Sequence, residues 1–295
     1  MDTIVDLIKE TAARVEARLN ELLPAEDVQP ATLHKAMRYS IFAGGKRIRP
    51  LLCLESAKAC GGDEDDALNA ACALETLHTY TLIHDDLPCM DNDDMRRGRP
   101  TNHKVFGEGI AVLAGDALLT EAFAILARVP ANERYTVGDY VAEFAYRTGS
   151  LNLVGGQVLD LEGEGRALSV DELRAIHNGK TSALIMASTR LGGMVAGCTQ
   201  EQLDALTAYG RDLGLAFQII DDILDITSSP EVLGKSIGKD AAEHKATYPA
   251  LVGMEQARRE ARDLTASARA ALEVFSPKRR EVLLAINDYL LNRDY

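Results

Sequence analysis

Between residues 78 and 100 the chain reads HTYTLIHDDLPCMDNDDMRRGRP: Asp85, Asp86, Asp91, Asp93 and Asp94 close an apolar segment, and Arg96, Arg97 and Arg99 follow at once. A second acidic group, Asp221, Asp222 and Asp225, lies in GLAFQIIDDILDITSS. There Gln218 and the three aspartates are spaced i, i+3, i+4 and i+7, which puts them on one stripe of a helix. Leu, Phe and Ile fill most of the other positions, so that helix is expected to be buried. Lone carboxylates in such a place lose their hydration at a cost of several kcal/mol, and they need cations. Oxygen-only ligands in small number suit a hard ion such as Mg²⁺, which keeps waters and is completed by phosphate oxygens. A calcium loop does not fit, because the alternating acidic pattern with a glycine and a terminal Glu is absent. Two acidic clusters facing one cavity make a clamp of several Mg²⁺ ions for a polyphosphate.

Positive charge complements them. Lys46, Arg47 and Arg49 follow two glycines in GGKRIRP, Lys180 precedes Thr181, and Lys235 and Lys239 lie between Ser228 and Lys245. Each alone reads as a surface charge worth under about 1 kcal/mol. Beside the aspartates they read as phosphate holders, Arg as a bidentate fork and Lys as a point charge. His78, Thr81 and Asp85 share one helix face at i, i+3 and i+7; His78 fits a core histidine and a ligand contact equally. Pro88 breaks the helix and can turn Asp91 towards Asp85.

The elements that must position these groups are helical. Ala and Leu abound, aromatic residues are 5% of the 295, and no segment sustains period-two alternation. Capping patterns at Ser169–Glu172 and Thr199–Gln202, and Ser276 before Pro277, mark helix starts. Punctuation predicts about ten helices in one domain, residues 1–295, with short connections. The stretch Ser228–Lys245 reads as a loop of the kind that covers sites. A net charge of −13 argues against a nucleic-acid partner. Five cysteines without a C-x-x-C suggest reduced thiols. The amphipathic N-terminal pattern is neither leader nor span, and the other apolar stretches look too short or interrupted to cross a bilayer. These features together predict a soluble, cytoplasmic protein.

The motifs in order resemble the trans-isoprenyl diphosphate synthases of the short-chain bacterial and plastid type. GGKRIRP (44–50), DDLPCMD (85–91), RRGRPTNH (96–103), VLAGDALL (112–119), GGQVLDL (155–161), GKTSAL (179–184), FQIIDDILD (217–225) and LGKSIGKD (233–240) carry the resemblance, which spans nearly the whole chain. It implies the all-α isoprenoid synthase fold, an antiparallel helical bundle around a deep central cavity, and a homodimer. It also implies Mg²⁺ held by Asp85, Asp91 and Asp221 with Asp86, Asp222 and Asp225 in support. By the same resemblance Arg96, Lys180, Gln218 and Lys235 hold an allylic diphosphate, while Lys46, Arg49, His78, Arg97 and Arg293 hold isopentenyl diphosphate.

The implied reaction is head-to-tail condensation through an allylic cation, which Thr181 and Gln218 can face with oxygen dipoles, the released diphosphate taking the last proton. Tyr80 and small Thr81, one turn before Asp85, imply a floor to the product channel and a C15 product, farnesyl diphosphate. The alternatives are a C20 geranylgeranyl diphosphate synthase, a non-catalytic subunit of a heteromeric prenyltransferase, and a terpene cyclase of the same architecture. The cyclase would carry an Asn/Ser/Glu metal motif in place of DDILD.

Overall fold

The computed structural model describes residues 3–227 and 246–291. Its helices are α1 (Ile4–Leu22), α2 (Ala31–Ile41), α3 (Ile48–Cys60), α4 (Glu64–Asp85), α5 (Asn102–Phe106), α6 (Glu108–Leu126) and α7 (Val137–Thr148). The series continues with α8 (Leu153–Gly163), α9 (Val170–His177), α10 (Ala183–Val195), α11 (Gln200–Thr227), α12 (Tyr248–Val252), α13 (Met254–Ala271) and α14 (Pro277–Leu291). This exceeds the ten expected; α5 and α12, with five residues each, are too short to display a helical period and account for two of the four extra helices. The capping boxes at Ser169 and Thr199 both form, and Pro277 opens α14.

One two-stranded hairpin interrupts the helices. Met95–Arg96 (β1) pairs antiparallel with Arg99–Pro100 (β2), and the two turn residues Arg97 and Gly98 both have positive φ, 52° and 74°. That is the twist-compatible turn for a two-residue loop, and the strands are too short to leave an alternating pattern in the sequence.

α4 runs through the middle of the largest apolar cluster. Ala67, Ala70, Ala71, Ala73, Leu74 and Leu77 are fully buried there, and α3, α6 and α10 pack around it. Small residues set the spacing. On α10 a Cβ at Gly192 would stand 2.0 Å from the Cys53 carbonyl oxygen of α3, so only glycine lets these helices cross so closely. α11 and α13 lie side by side and share two further apolar clusters with α9, α12 and α14.

α6 corrects one expectation. With 19 residues and a mean hydropathy of 1.8 it is long and apolar enough to cross a bilayer, which its Gly and Ala content obscured. In the bundle it packs against α2, α4, α5 and α7 and carries Glu108, Asp116 and Glu121.

Arg47, grouped above with the phosphate-binding cations, is instead a strut. It begins α3 at φ 48° and is 2% exposed. Its guanidinium pairs with Glu16 of α1 at 2.9 Å and with buried Glu75 of α4 at 2.5 Å, tying three helices together. Arg47→Met leaves Glu75 buried without a partner and should cost about 3–5 kcal/mol in denaturant unfolding. The double variant Arg47→Met/Glu75→Leu should recover most of that loss. A single-variant loss below about 1 kcal/mol would remove the strut role.

Candidate active site

α4 ends at Asp85, ahead of Pro88 as the sequence demands, and the chain then folds back. The Asp91 amide donates to the Asp85 carbonyl at 2.8 Å, with Asn92 at φ 50° completing the turn. The two aspartates expected to act together are therefore adjacent. Burial, reinforced by Asp91, pushes the Asp85 carboxyl up to about 6 against the pull of Lys180. Asp86 is 3% exposed and receives Arg96 through Nε at 2.7 Å and Nη2 at 2.6 Å.

The hairpin supplies Arg96 and Arg97. Asn102 fastens it by donating to the Ala36 carbonyl of α2 at 2.8 Å, and the Tyr39 hydroxyl donates to the Pro100 carbonyl at 2.8 Å. A cavity of about 30 Å³, room for about one water, lies behind it against Thr79, Leu82, Asp86 and Asn102.

Arg97 reaches the Gly44 carbonyl, and its guanidinium fills the place of a Cβ at Gly45, 2.8 Å away. Gly45 also has φ 126°, so the Gly-Gly pair serves both the turn and this close approach. Arg49 donates from Nη1 to Nε2 of His78 at 3.2 Å, and burial pushes this guanidinium down to about 10. Burial and the nearby Arg49, Arg97, Arg96 and Arg47 hold His78 well below its ordinary value, so it accepts as neutral imidazole. Lys46 is exposed, with its ammonium 5.2 Å from the Tyr289 ring centre.

Lys180 stands on a feature that helical periodicity does not reveal. Asn178–Ser182 forms a π-helical turn between α9 and α10, closed by the Ala183 amide on the Asn178 carbonyl. A Cβ at Gly156 of α8 would lie 2.3 Å from the Lys180 nitrogen, and one at Gly179 2.7 Å from the Gly156 Cα, so backbone touches backbone here. Lys180 donates to Asp160 of α8 at 2.7 Å. Burial opposes its charge, yet Asp160 and Asp85 hold its affinity for the proton above the ordinary value. Next along, the Thr181 hydroxyl donates to Oε1 of Gln218 at 2.8 Å. Lys180 thus faces the first acidic group while Thr181 holds α11 one turn before the second.

On α11, Gln218, Asp221 and Asp225 are half-buried and Asp222 is buried. Asp222 accepts the Tyr248 amide of α12 at 2.7 Å and lies 3.7 Å from Nε2 of His177. The Tyr248 hydroxyl donates to Glu260 and accepts from Arg174 at 2.8 Å. Asp160, His177, Arg174, Tyr248 and Glu260 went unnoticed in the sequence. Only Asp160, the one charged residue in GGQVLDL, carried a signal there. Lys235, Lys239 and Arg293 lie outside the described residues.

Among the described residues no three Asp, Glu, His or Cys side chains converge into a ready-made metal cage. The donors are carboxylate oxygens, and the proton affinity of Asp85 marks a place where a cation would be welcome. Such a set fits Mg²⁺, which takes one or two carboxylates and fills its octahedron with water and phosphate oxygen.

A profile of the family described as Polyprenyl synthetase matches residues 30–275. The chain is 46% identical over 289 residues to the chloroplastic geranylgeranyl pyrophosphate synthase of Capsicum annuum, covering 97% of this chain and 78% of that protein. To the chloroplastic geranylgeranyl pyrophosphate synthase of Catharanthus roseus it is 47% identical over 270 residues, covering 90% and 75%. Among solved structures, the geranylgeranyl pyrophosphate synthetase of Pyrococcus horikoshii superposes with a TM-score of 0.91 at 32% identity, covering 99% of this chain and 98% of that one. An FPP/GFPP synthase of Zymomonas mobilis gives 0.86 at 35%, covering 98% of both.

These matches overturn the cytoplasmic expectation, since relatives this similar are named chloroplastic. Reduced thiols could not make that distinction. With the family profile over most of its length and relatives well above 30% identity, the chain belongs to the polyprenyl synthetase family, has the all-α isoprenoid synthase fold and is a prenyltransferase.

Proposed function

We propose that the protein condenses isopentenyl diphosphate with allylic diphosphates up to a C20 product, geranylgeranyl diphosphate. One observation carries the two-diphosphate reading: α4 presents unlike charge environments at its two last turns, purely cationic around His78 and mixed around Asp85. His78 lies among Arg49, Arg97 and Arg96, whereas Asp85 lies beside Asp91 and Lys180. Seven residues along a helix is roughly 10 Å, enough to hold two diphosphates side by side. The names of the plant relatives support C20.

In this reading Lys46, Arg49, His78 and Arg97 hold isopentenyl diphosphate, with neutral His78 contributing without adding charge. Arg96 and Lys180 hold the allylic diphosphate with Gln218. Asp85, Asp91 and Asp221, with Asp86, Asp222 and Asp225, are the candidate holders of Mg²⁺, which when bound neutralises charge that develops on a leaving diphosphate. The allylic C–O bond breaks with its electron pair leaving on the diphosphate, and the isopentenyl double bond attacks the resulting cation. Thr181 and Gln218, hydrogen-bonded to each other, turn oxygen dipoles on that cation. A proton then leaves the new cation for the released diphosphate. Lys235 and Arg293 keep their proposed phosphate contacts as assignments from resemblance.

A C15 stop is the second reading, favoured by Tyr80, which is 9% exposed on α4 beside Thr81, the residue one turn before Asp85. A second copy of the chain is the proposed partner. Val112 and Leu113 of α6 and Leu151, Val154, Val158 and Leu159 beside and on α8 are exposed apolar side chains, with Leu151 81% exposed. Exposed apolar side chains such as these are what a subunit interface would cover. Sedimentation should give twice the 32.0 kDa chain mass, and a monomer would exclude the homodimer.

Purified protein given Mg²⁺, isopentenyl diphosphate and C5, C10 or C15 allylic primers should accumulate C20 and lose activity with a chelator. Termination at C15, with no extension of a C15 primer, would select the second reading, and no product from any primer would refute both.

Asp85→Asn should lower turnover by at least about 100-fold. It should also stabilise the metal-free protein. Below pH 3.8 folded and unfolded chains both hold the Asp85 proton; from there to about 6 only the folded chain does, so stability falls as pH rises through that window. At pH 7 the amide should therefore gain about 1 kcal/mol after allowance for solvent screening, raising Tm by about 2–4 °C. An unchanged or lower Tm would show that the buried Asp85 charge costs the fold nothing and refute the predicted gain.

A further inference from the structure

The contact between α4 and α6 contains a side chain that the reaction does not use. His84 is one helical turn beyond Tyr80, and their rings meet edge to face, 5.3 Å between centres and 86° between planes. The imidazole is pinned on its far side: Nε2 is 3.0 Å from the Val112 carbonyl of α6 and 3.9 Å from Asp116. It occupies a notch left by a missing side chain. A Cβ at Gly115 would stand 2.1 Å from Nε2 and 2.4 Å from Cδ2, distances at which the ring must leave. Tyr80 itself is buried in the α4–α6 cluster, and burial followed by Asp85 and Asp116 pushes its phenol up.

A bulky side chain stops a growing prenyl chain only if it cannot turn away. Each added C5 unit brings apolar area whose burial favours longer products, so the obstacle needs rigid support from behind. Tyr80 turns about two side-chain bonds, and the ring of His84, edge to face against it, is the aromatic neighbour that restrains that turn. We propose that His84, seated in the notch at Gly115, is the backstop that holds the Tyr80 ring in place and so determines the length at which elongation stops. The inference rests on the prenyl-transfer reading with Tyr80 as the wall of the product channel, whether that wall stops the chain at C15 or at C20. His84 and Gly115 are positioning residues in it, acting through Tyr80.

Product chain length reads this out, since a ratio of products is insensitive to how much variant protein folds. In the assay with C5, C10 and C15 primers, Tyr80→Ala should add at least one C5 unit to the main product. His84→Ala should raise the ratio of the product one C5 unit longer to the normal one by about tenfold or more. The double variant Tyr80→Ala/His84→Ala should match Tyr80→Ala alone, because a backstop has nothing to support once the ring is gone. Gly115→Ala should shift the product ratio in the wild-type background and not in the His84→Ala background. If Tyr80→Ala lengthens the product while His84→Ala leaves the ratio unchanged, the backstop is refuted and the Tyr80 wall stands. If the two substitutions lengthen the product additively, His84 acts independently of Tyr80 and the inference also fails. An unchanged product from Tyr80→Ala refutes the wall and the backstop together.

Discussion

Carboxylates at the end of an apolar helix must be met by positive charge from another element, and that requirement organises the site. Asp85 closes α4, whose earlier turns bury alanines and leucines, and the turn that follows supplies more negative charge through Asp91. The compensation arrives from two directions: Arg96 on the hairpin answers Asp86, and Lys180 on the π turn lies beside Asp85. Coulomb attraction in partly dry surroundings is strong enough to justify a break in regular helix geometry, since a mispaired charge there costs several kcal/mol. The π turn is the local distortion that carries Lys180 into this charge balance, while the positive φ of Arg97 belongs to the two-residue hairpin turn that presents Arg96.

Such distortion needs a backbone that can approach closely, which explains the glycines. Gly156 and Gly179 let α8 lie against the π turn, so that Asp160 reaches Lys180. Gly45 leaves room for the Arg97 guanidinium. In each case the absent side chain is replaced by a charged group or by backbone, and an alanine would displace it from the site. Packing and chemistry are therefore coupled at the same atoms.

Much of this was legible in the residues. Pro88 predicted the end of α4 and the return of Asp91, and the stripe Gln218, Asp221, Asp222, Asp225 predicted the polar edge of α11. Local chemistry controls such features, so local sequence reveals them. Partner choice is tertiary and was not visible. Arg47 looks like Lys46 and Arg49 in GGKRIRP, yet its left-handed start to α3 turns it inward to Glu75, which lies a full helix away in sequence. The Tyr248 amide on Asp222 depends on how the chain re-enters the bundle at α12, and no motif announces that. The span-like composition of α6 was missed for a different reason, since hydropathy averages over Gly and Ala that individually look unremarkable.

The pairing pattern bears on how a diphosphate would be recognised. Arg96 and Lys180 already have carboxylate partners, Asp86 and Asp160, at 2.6–2.7 Å. An anion that engages them competes with those partners, and a single negative charge gains little by the exchange. A diphosphate carries more charge on more oxygens, and any cation it brings offers the released carboxylates a new partner. The site is thus biased towards a metal-loaded polyanion over simple anions such as chloride or a lone carboxylate. Arg49 and His78 differ: their mutual hydrogen bond joins a cation to a neutral imidazole, leaving the positive charge of that patch uncompensated by the pair itself. An anion there need not displace a carboxylate. The last two turns of α4 therefore offer different binding modes, one by exchange of ion partners and one by direct attraction, which is what the proposed pair of diphosphates of unlike fate would require.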